Sequence, residues 1–435
     1  MALDFSDLER QVQERGRIHR LDNGLVVVSE HVPNSGLVQG KITINTGSAY
    51  EAPEDHGIMH FLEHMTFGES NLYQNRDKRK FDAALLGLSI NAITGFDQIG
   101  YPIEGAGCPI LQENFLQALE IYTDLVFNPT FTQSSLDRER PIVQKEREEV
   151  VAQRNGMIGE RIFQILFKNN PYPIYHVEGS RDSIDRITLD KLAQYHNRFF
   201  VANNTHVEII GDLNGQSGIE SIAIENLSKI KRSDNISHIE TVCEDEIEQT
   251  KVETLSNLRD LPYEGNVRVN IYFKIPPYHH VDANSLNILS YVLGGSYHSL
   301  LTSDLRESKG LVYSISSDII GNQKSSYLQI GFSVKKKDIE VSMGAVEHNI
   351  NKVKRGEFDD MYLDMYRASK LPQMINLFQS HGWITKHLFE TMQLEKSEID
   401  STYLSRQSRI NDVTKQDVVD AAKRYLGDNR IIIAY

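Results

Sequence analysis

The chain predicts an α+β architecture of two homologous domains in tandem, each a mainly antiparallel β-sheet packed against helices. Three observations carry this expectation. The same order of strands and helices occurs twice, two helix starts of the same type stand at equivalent places in the two runs, and a polar, charge-mixed segment separates them. With 435 residues, 40% of them hydrophobic, the chain has enough apolar material for two cores.

In the first half, Leu21-Asp22-Asn23-Gly24 reads as a turn feeding a strand through Val28, and Gly40 to Asn45 alternates like a half-buried strand. A helix over about 56–67 follows at once. The second half repeats this order, with an alternating strand from Asn266 to Phe273 and, from about Asp282, an apolar helix containing SLNILSYVL. The ends agree as well. Ile187-Thr188-Leu189-Asp190 opens a helix that leads to the strand His206–Ile210, and Val413-Thr414-Lys415-Gln416 opens one that leads to Ile431–Ala434. Thr188 and Thr414 are the predicted N-caps of equivalent helices. These boundaries give an N-terminal polar segment at 1–16, a first domain at 17–228, a charged linker at 229–253 and a second homologous domain at 254–435.

A net charge of −14 leaves no basic footprint for nucleic acid or an anionic membrane, and it favours a positively charged peptide as a partner. The first residues, MALDFSDLERQVQERGR, have no apolar core and carry four acids, and nowhere do eighteen apolar residues run together. A cytoplasmic address is the expectation. Two cysteines, Cys108 and Cys243, stand far apart in no CxxC pattern, so a metal would have to use imidazole and carboxylate.

Such donors stand together in His60-Phe61-Leu62-Glu63-His64. On a helix His60 and His64 share one face and can reach one metal ion, with Glu63 beside them as a proton acceptor. Chance supplies this HxxEH pentad in roughly one chain in twenty-five of this composition, so it needs company. A catalytic zinc usually takes a third protein ligand. The charged helical stretch from Ser134 onward offers Glu139 and Glu146, two turns apart on one face.

HFLEHMTFG after GSAYEAPEDHGIM, Asn91-Ala92 with Thr94, Asp97 and Tyr101, Phe127-Asn128-Pro129, and RERPIVQKE together resemble the inverzincin zinc peptidases related to pitrilysin, insulin-degrading enzyme and mitochondrial processing peptidase. The resemblance covers nearly the whole chain and points to a half-length, bacterial-type member. It implies a Zn²⁺ cofactor held by His60, His64 and Glu146, with Glu139 as the supporting acid behind the metal and Glu63 as general base. It implies that Asn91 and Ala92 form an edge on which an extended peptide pairs by its backbone. Gly294-Gly295-Ser296 and the segment Leu305 to Ile315 resemble the part that contributes an Arg and a Tyr, here Arg306 and Tyr313, as oxyanion and substrate donors. The first domain is then the catalytic, zinc-binding one, and the second lacks zinc ligands.

The resemblance further implies an endopeptidase whose chamber forms from two half-shell chains, a homodimer or a heterodimer with a related subunit, acting in peptide maturation or leader-peptide processing. A non-catalytic peptide-binding or scaffold subunit is the alternative. Two departures stand out. The interval from His64 to Glu146 is longer than usual, with the surplus assigned to the loop at Glu104 to Pro109. Pro141 interrupts the helix unless that helix begins nearby, which keeps Glu149 as a reserve ligand.

Overall fold

Residues that alternate in polarity build the sheet of the first half, and their partners come from far along the chain. The computed structural model describes residues 6–152, 154–166, 177–213, 218–234, 251–254, 266–277, 280–321, 326–379, 382–388 and 409–435. The first half contains β1 (Gly16–Arg20), β2 (Val26–His31), β3 (Leu37–Ile44), β4 (Glu69–Ser70), β5 (Ile93–Thr94), β6 (Ile99–Ile103), β7 (Ile110–Leu111), β8 (Pro129–Thr130) and β9 (Thr205–Gly211). One sheet has the order β1-β2-β9-β3-β6-β5, with β7 against the start of β3, and β4 pairs with β8 apart from it. Every pairing is antiparallel except β2 with β9.

The second half contains β10 (Lys251–Thr254), β11 (Asn266–Ile275), β12 (Val312–Gly321), β13 (Ser326–Lys335) and β14 (Ile431–Ala434), in the order β10-β14-β11-β13-β12. Only β10 with β14 is parallel. Counting from β2 in one sheet and β10 in the other, both run first, last, second, fourth, third. The repeat seen in the sequence is one topology used twice.

Among the described residues, the helices of the first half are α1 (Ser6–Arg15), α2 (Ile58–Thr66), α3 (Arg76–Leu85), α4 (Phe115–Phe127), α5 (Gln133–Ala152), α6 (Arg154–Leu166), α7 (Arg181–Arg186), α8 (Leu189–Phe199) and α9 (Ile219–Leu227). In β3, Val38, Ile42 and Ile44 bury completely on the period-two face, and Gly40 lies among them because the Phe115 ring of α4 stands 3.0 Å from where its Cβ would be. Thr188 caps α8 by accepting from the Lys191 N–H. The second half has α10 (Ala283–Gly294), α11 (Ile339–Lys354), α12 (Met361–Gln379) and α13 (Lys415–Tyr425), and Thr414 caps α13 in a reciprocal box with Asp417. Both predicted caps are present. No described helix is long and apolar enough to cross a membrane.

Contacts divide the chain into two units: Leu8–Val242 with Ser380–Met392, and Cys243–Gln379 with Met1–Asp7 and Gln393–Tyr435. Two features depart from the contiguous boundaries read from the sequence. From Ser6 the polar N-terminal segment is helical: α1 leads directly into β1, and Arg15 pairs with the buried Glu30 of β2. Ser380–Met392 belongs with the first unit because Trp383 and Ile384 are buried there, with Ile384 against Gly16. Residues 235–250 of the linker, including Cys243, lie outside the described residues.

Two local devices are open to test. Gly57 at the N-cap of α2 has φ +92°, and a Cβ there would meet the Glu178 carbonyl oxygen at 2.5 Å. Gly57→Ala therefore destabilises the first unit by about 2 kcal/mol or more, read from urea unfolding. His196 is buried between Phe131 and Phe200, and its ring Nε2 donates to the Val126 carbonyl at 2.9 Å. Burial pushes its pKa down to about 4, against a partly compensating hydrogen bond to Val126. The folded state thus binds fewer protons than the unfolded chain between about pH 6.5 and about pH 4, and stability falls as pH drops through that window. From about pH 7.5 to about pH 5 this one residue removes about 2 kcal/mol, a difference that His196→Asn abolishes in paired unfolding curves.

Candidate metal centre

Helix α2 carries the pentad, and its start is held by a residue outside it. No side chain caps α2 locally, and the N–H groups of Gly57 and Met59 donate instead to the Glu51 carboxylate at 2.9 and 2.8 Å. A negative group there also opposes the positive end of the helix dipole. Glu51 is buried, which raises its pKa, while its bonds to His56, Met59 and Gly57 pull the other way. Phe61, Leu62 and Met65 anchor the helix in the core. That fixes the direction in which His60, Glu63 and His64 project.

Helix α5 packs against α2 and brings its carboxylates to both imidazoles. Glu146 Oε2 lies 3.1 Å from His64 Nε2 and 3.7 Å from His60 Nε2. The two rings meet edge to face with centroids 4.8 Å apart. One donor atom from each of His60, His64 and Glu146 lies within 4.8 Å of the others. Burial and the neighbouring His64 drive the His60 pKa down to about 3, so its ring is neutral at ordinary pH. His60 Nδ1 is buried with no hydrogen-bond partner.

His64 behaves differently. Burial opposes its protonation, but the bond to Glu139 and the charges of Glu146 and Glu63 outweigh that and raise its pKa. Its Nδ1 faces Glu139 Oε2 at 3.5 Å, an arrangement that would keep the ring proton on Nδ1 and turn Nε2 to a metal when one is bound. The other Glu139 oxygen accepts from Arg76 Nη1 and Arg138 Nε, each at 3.0 Å. Burial alone would raise the Glu139 pKa; His64 and Arg138 hold it below the usual range. Two imidazoles and a carboxylate facing one point, braced by a further carboxylate, match the donor set of a catalytic Zn²⁺ site.

Glu63 is buried beside this cluster and accepts a hydrogen bond from Thr94 Oγ1. Burial raises its pKa, opposed by the Thr94 bond and the His64 charge. Thr94 ends β5, the last strand in the sheet order, where Ile93 is exposed. Asn91 and Ala92 lie just before that strand: Ala92 is buried, and the Asn91 N–H donates to the Tyr122 hydroxyl at 3.2 Å.

Pro141 does not mark a helix start. Helix α5 begins at Gln133 and runs through the proline to Ala152. The ring costs one backbone bond, and α5 is braced there by Arg140, which donates to the carbonyls of Ile184 and Ile187, and by Arg147 Nε, which donates to the Gly179 carbonyl at 2.6 Å. Glu139 and Glu146 thus keep a common face. Glu149 is exposed and pairs with Lys145 at 3.6 Å, away from the cluster. The Glu104 to Pro109 loop turns tightly at Ala106 and Gly107, both with positive φ, between the Gly105 and Cys108 backbone pair.

Arg306 and Tyr313 belong to the second unit. Arg306 lies in a π-helical turn, Thr302–Ser308, with its guanidinium 5.6 Å from the Tyr297 ring centroid. Tyr313 is 84% exposed on a bulge of β12, where the register slips between Val312 and Ile315. Gly295 is the C-cap of α10, with φ −82° rather than left-handed. Gly294 is required instead by β12, whose Ser317 N lies 2.5 Å from the position of a Cβ.

Sequence reasoning left Glu51, Arg76 and Arg138 without roles. Glu51 and Arg76 act across gaps of chain that no local spacing marks, whereas Arg138 adjoins Glu139 in a charged run that reads as a solvated face.

Residues 26–177 match the model of insulinase (peptidase family M16), and residues 186–370 match that of the peptidase M16 inactive domain. The zinc protease PqqE of Helicobacter pylori is 25% identical over 413 residues, spanning 94% of this chain and 90% of that protein. The beta subunit of the mitochondrial-processing peptidase of Saccharomyces cerevisiae is 28% identical over 157 residues, 36% of this chain and 32% of that one. A crystal structure of a protease from Helicobacter pylori aligns with a TM-score of 0.79 at 21% identity, covering 97% of this chain and 99% of the other. Two matched halves, in the order the two sheets repeat, identify the chain as a member of peptidase family M16.

Proposed function

We propose that the chain is a zinc-dependent endopeptidase acting on extended peptides. The observation that carries this reading is the convergence of His60, His64 and Glu146 with Glu63 buried beside them. Zn²⁺ bound by the first three supplies Lewis-acid polarisation of a carbonyl and lowers the pKa of water to roughly 7. Glu63, held by Thr94, accepts the proton of the attacking water and passes it to the departing amine as the C–N bond breaks. The raised proton affinity that burial gives Glu63 suits both transfers. Glu139 keeps the His64 ring oriented through Nδ1.

Substrate backbone pairs with the outer edge of β5, a mode of binding that selects an extended conformation. Arg306 and Tyr313, exposed on the second unit, serve as donors to the substrate and its oxyanion in a chamber built by two chains, identical or related. Enclosure of that kind suits peptide maturation or leader-peptide processing. A non-catalytic binding or scaffold subunit is the second reading, favoured by the name of the model that matches the second half. Zinc content separates the two readings, because a scaffold has no need of the metal.

Glu63→Gln retains about one zinc per chain and loses at least about 100-fold in kcat on a peptide library, with cuts mapped by mass spectrometry. Comparable hydrolysis by that variant removes Glu63 from its role. Glu146→Gln loses the metal. Glu139→Gln leaves the three donors in place and weakens zinc affinity by about 10- to 100-fold, measured by competition with a chelator.

A further inference from the structure

A cleft of about 460 Å³ opens beside the metal cluster, between α3 and the end of α2. It shares His64 and Glu139 with the cluster and adds Phe67, Arg76, Arg79 and Lys80. The three cations come from one face of α3, at positions i, i+3 and i+4. Against them the lining sets one carboxylate, Glu139. Within the lining, cations outnumber the carboxylate three to one, although the whole chain carries −14.

Each cation is held in its own way. Arg79 is 1% exposed, and its guanidinium donates to the main-chain oxygens of Phe67 and Gly68, which ties α3 to the end of α2. Its buried Nε has no hydrogen-bond partner, and the nearby acids Glu69 and Asp124 offset its charge from outside the lining. Arg76 is fixed by Glu139. Lys80 is exposed, and among the described residues it has no ion-pair partner. A fixed floor and one free ammonium make a ready receptor for an anion. The apolar wall, Leu88 and Ile90 among it, accepts the methylenes that carry one.

We propose that this cleft is a side-chain pocket that selects an acidic residue, glutamate or aspartate, next to the scissile bond of the substrate, with Lys80 as its charge determinant. The pocket shares the ligand His64 with the metal cluster, and a side chain seated in it would bring its own backbone up to that ligand. The proposal rests on the peptidase reading above. It reverses the preference for basic peptides that net charge suggests, because field lines in a cleft follow the charges that line it.

The test uses the full chain and extended peptides that differ only in having Glu, Gln, Lys or Leu at the positions flanking the cut. The first readout is kcat/KM for the wild type and Lys80→Glu. The second is fluorescence-anisotropy binding of the same peptides to Glu63→Gln, with and without Lys80→Glu, which needs no turnover. The Glu peptide is expected to be favoured over the Lys peptide by about tenfold in both readouts, and Lys80→Glu to erase or invert that ranking with an unchanged melting temperature. Equal binding of Glu and Lys peptides, a preference for Leu, or a ranking untouched by Lys80→Glu overturns the pocket. Binding ranked as expected without hydrolysis by the wild type supports the pocket and counts against the peptidase reading instead.

Discussion

The docking of α5 on α2 is the contact on which the site depends. It places four carboxylates and imidazoles, His60, His64, Glu139 and Glu146, within reach of one another at the edge of a hydrophobic core. Partly buried groups of this kind are costly unless each finds a partner. Glu139 finds Arg76, Arg138 and His64, so one side of the cluster is satisfied by protein alone. The other side, where the Nε2 atoms of both histidines face Glu146, meets no protein cation among the described residues. That side has the donor set a divalent metal would satisfy.

Two pieces of scaffold keep that contact in register. Glu51 replaces the missing cap of α2 and fixes the rise of the pentad helix out of its loop. Arg140 and Arg147 tie α5 to the 179–187 segment on either side of Pro141, so the helix persists where its own hydrogen bonding is weakest. The second sheet repeats the first in order and direction, yet its helix α10 offers Leu286 and Ser290 where the Thr188-to-Thr414 interval places the counterparts of His60 and His64. Duplication of the fold did not duplicate the donor set. What the second unit exposes instead is the Arg306 turn and the Tyr313 bulge.

Much of this was legible in the sequence because the signals are local. Periodicity marked β3 and β11, threonine followed by an acid-rich turn marked the caps of α8 and α13, and spacing alone set His60, Glu63 and His64 on one turn. Glu139 and Glu146 were legible as a shared helical face. Long-range partners were not. Glu51 caps a helix from six residues away through a loop, Arg76 reaches Glu139 from 63 residues earlier in the chain, and Ser380–Met392 belongs with the first unit, where Trp383 and Ile384 are buried. Pro141 misled in the other direction, since its local rule holds only where no tertiary brace replaces the lost bond. Net charge is silent on such local patterning: −14 over the chain says nothing of a cleft lined by Arg76, Arg79 and Lys80.

The central claim is that two imidazoles and one carboxylate of this chain hold one zinc ion. Zinc K-edge X-ray absorption on the chain loaded with a single equivalent of Zn²⁺ tests it most directly. The account predicts a four-coordinate N/O shell with two imidazole nitrogens at about 2.0–2.1 Å and oxygens at about 2.0–2.2 Å, lost in Glu146→Gln. Sulfur in the shell, a six-oxygen hydrated ion, or a spectrum unchanged by Glu146→Gln contradicts it.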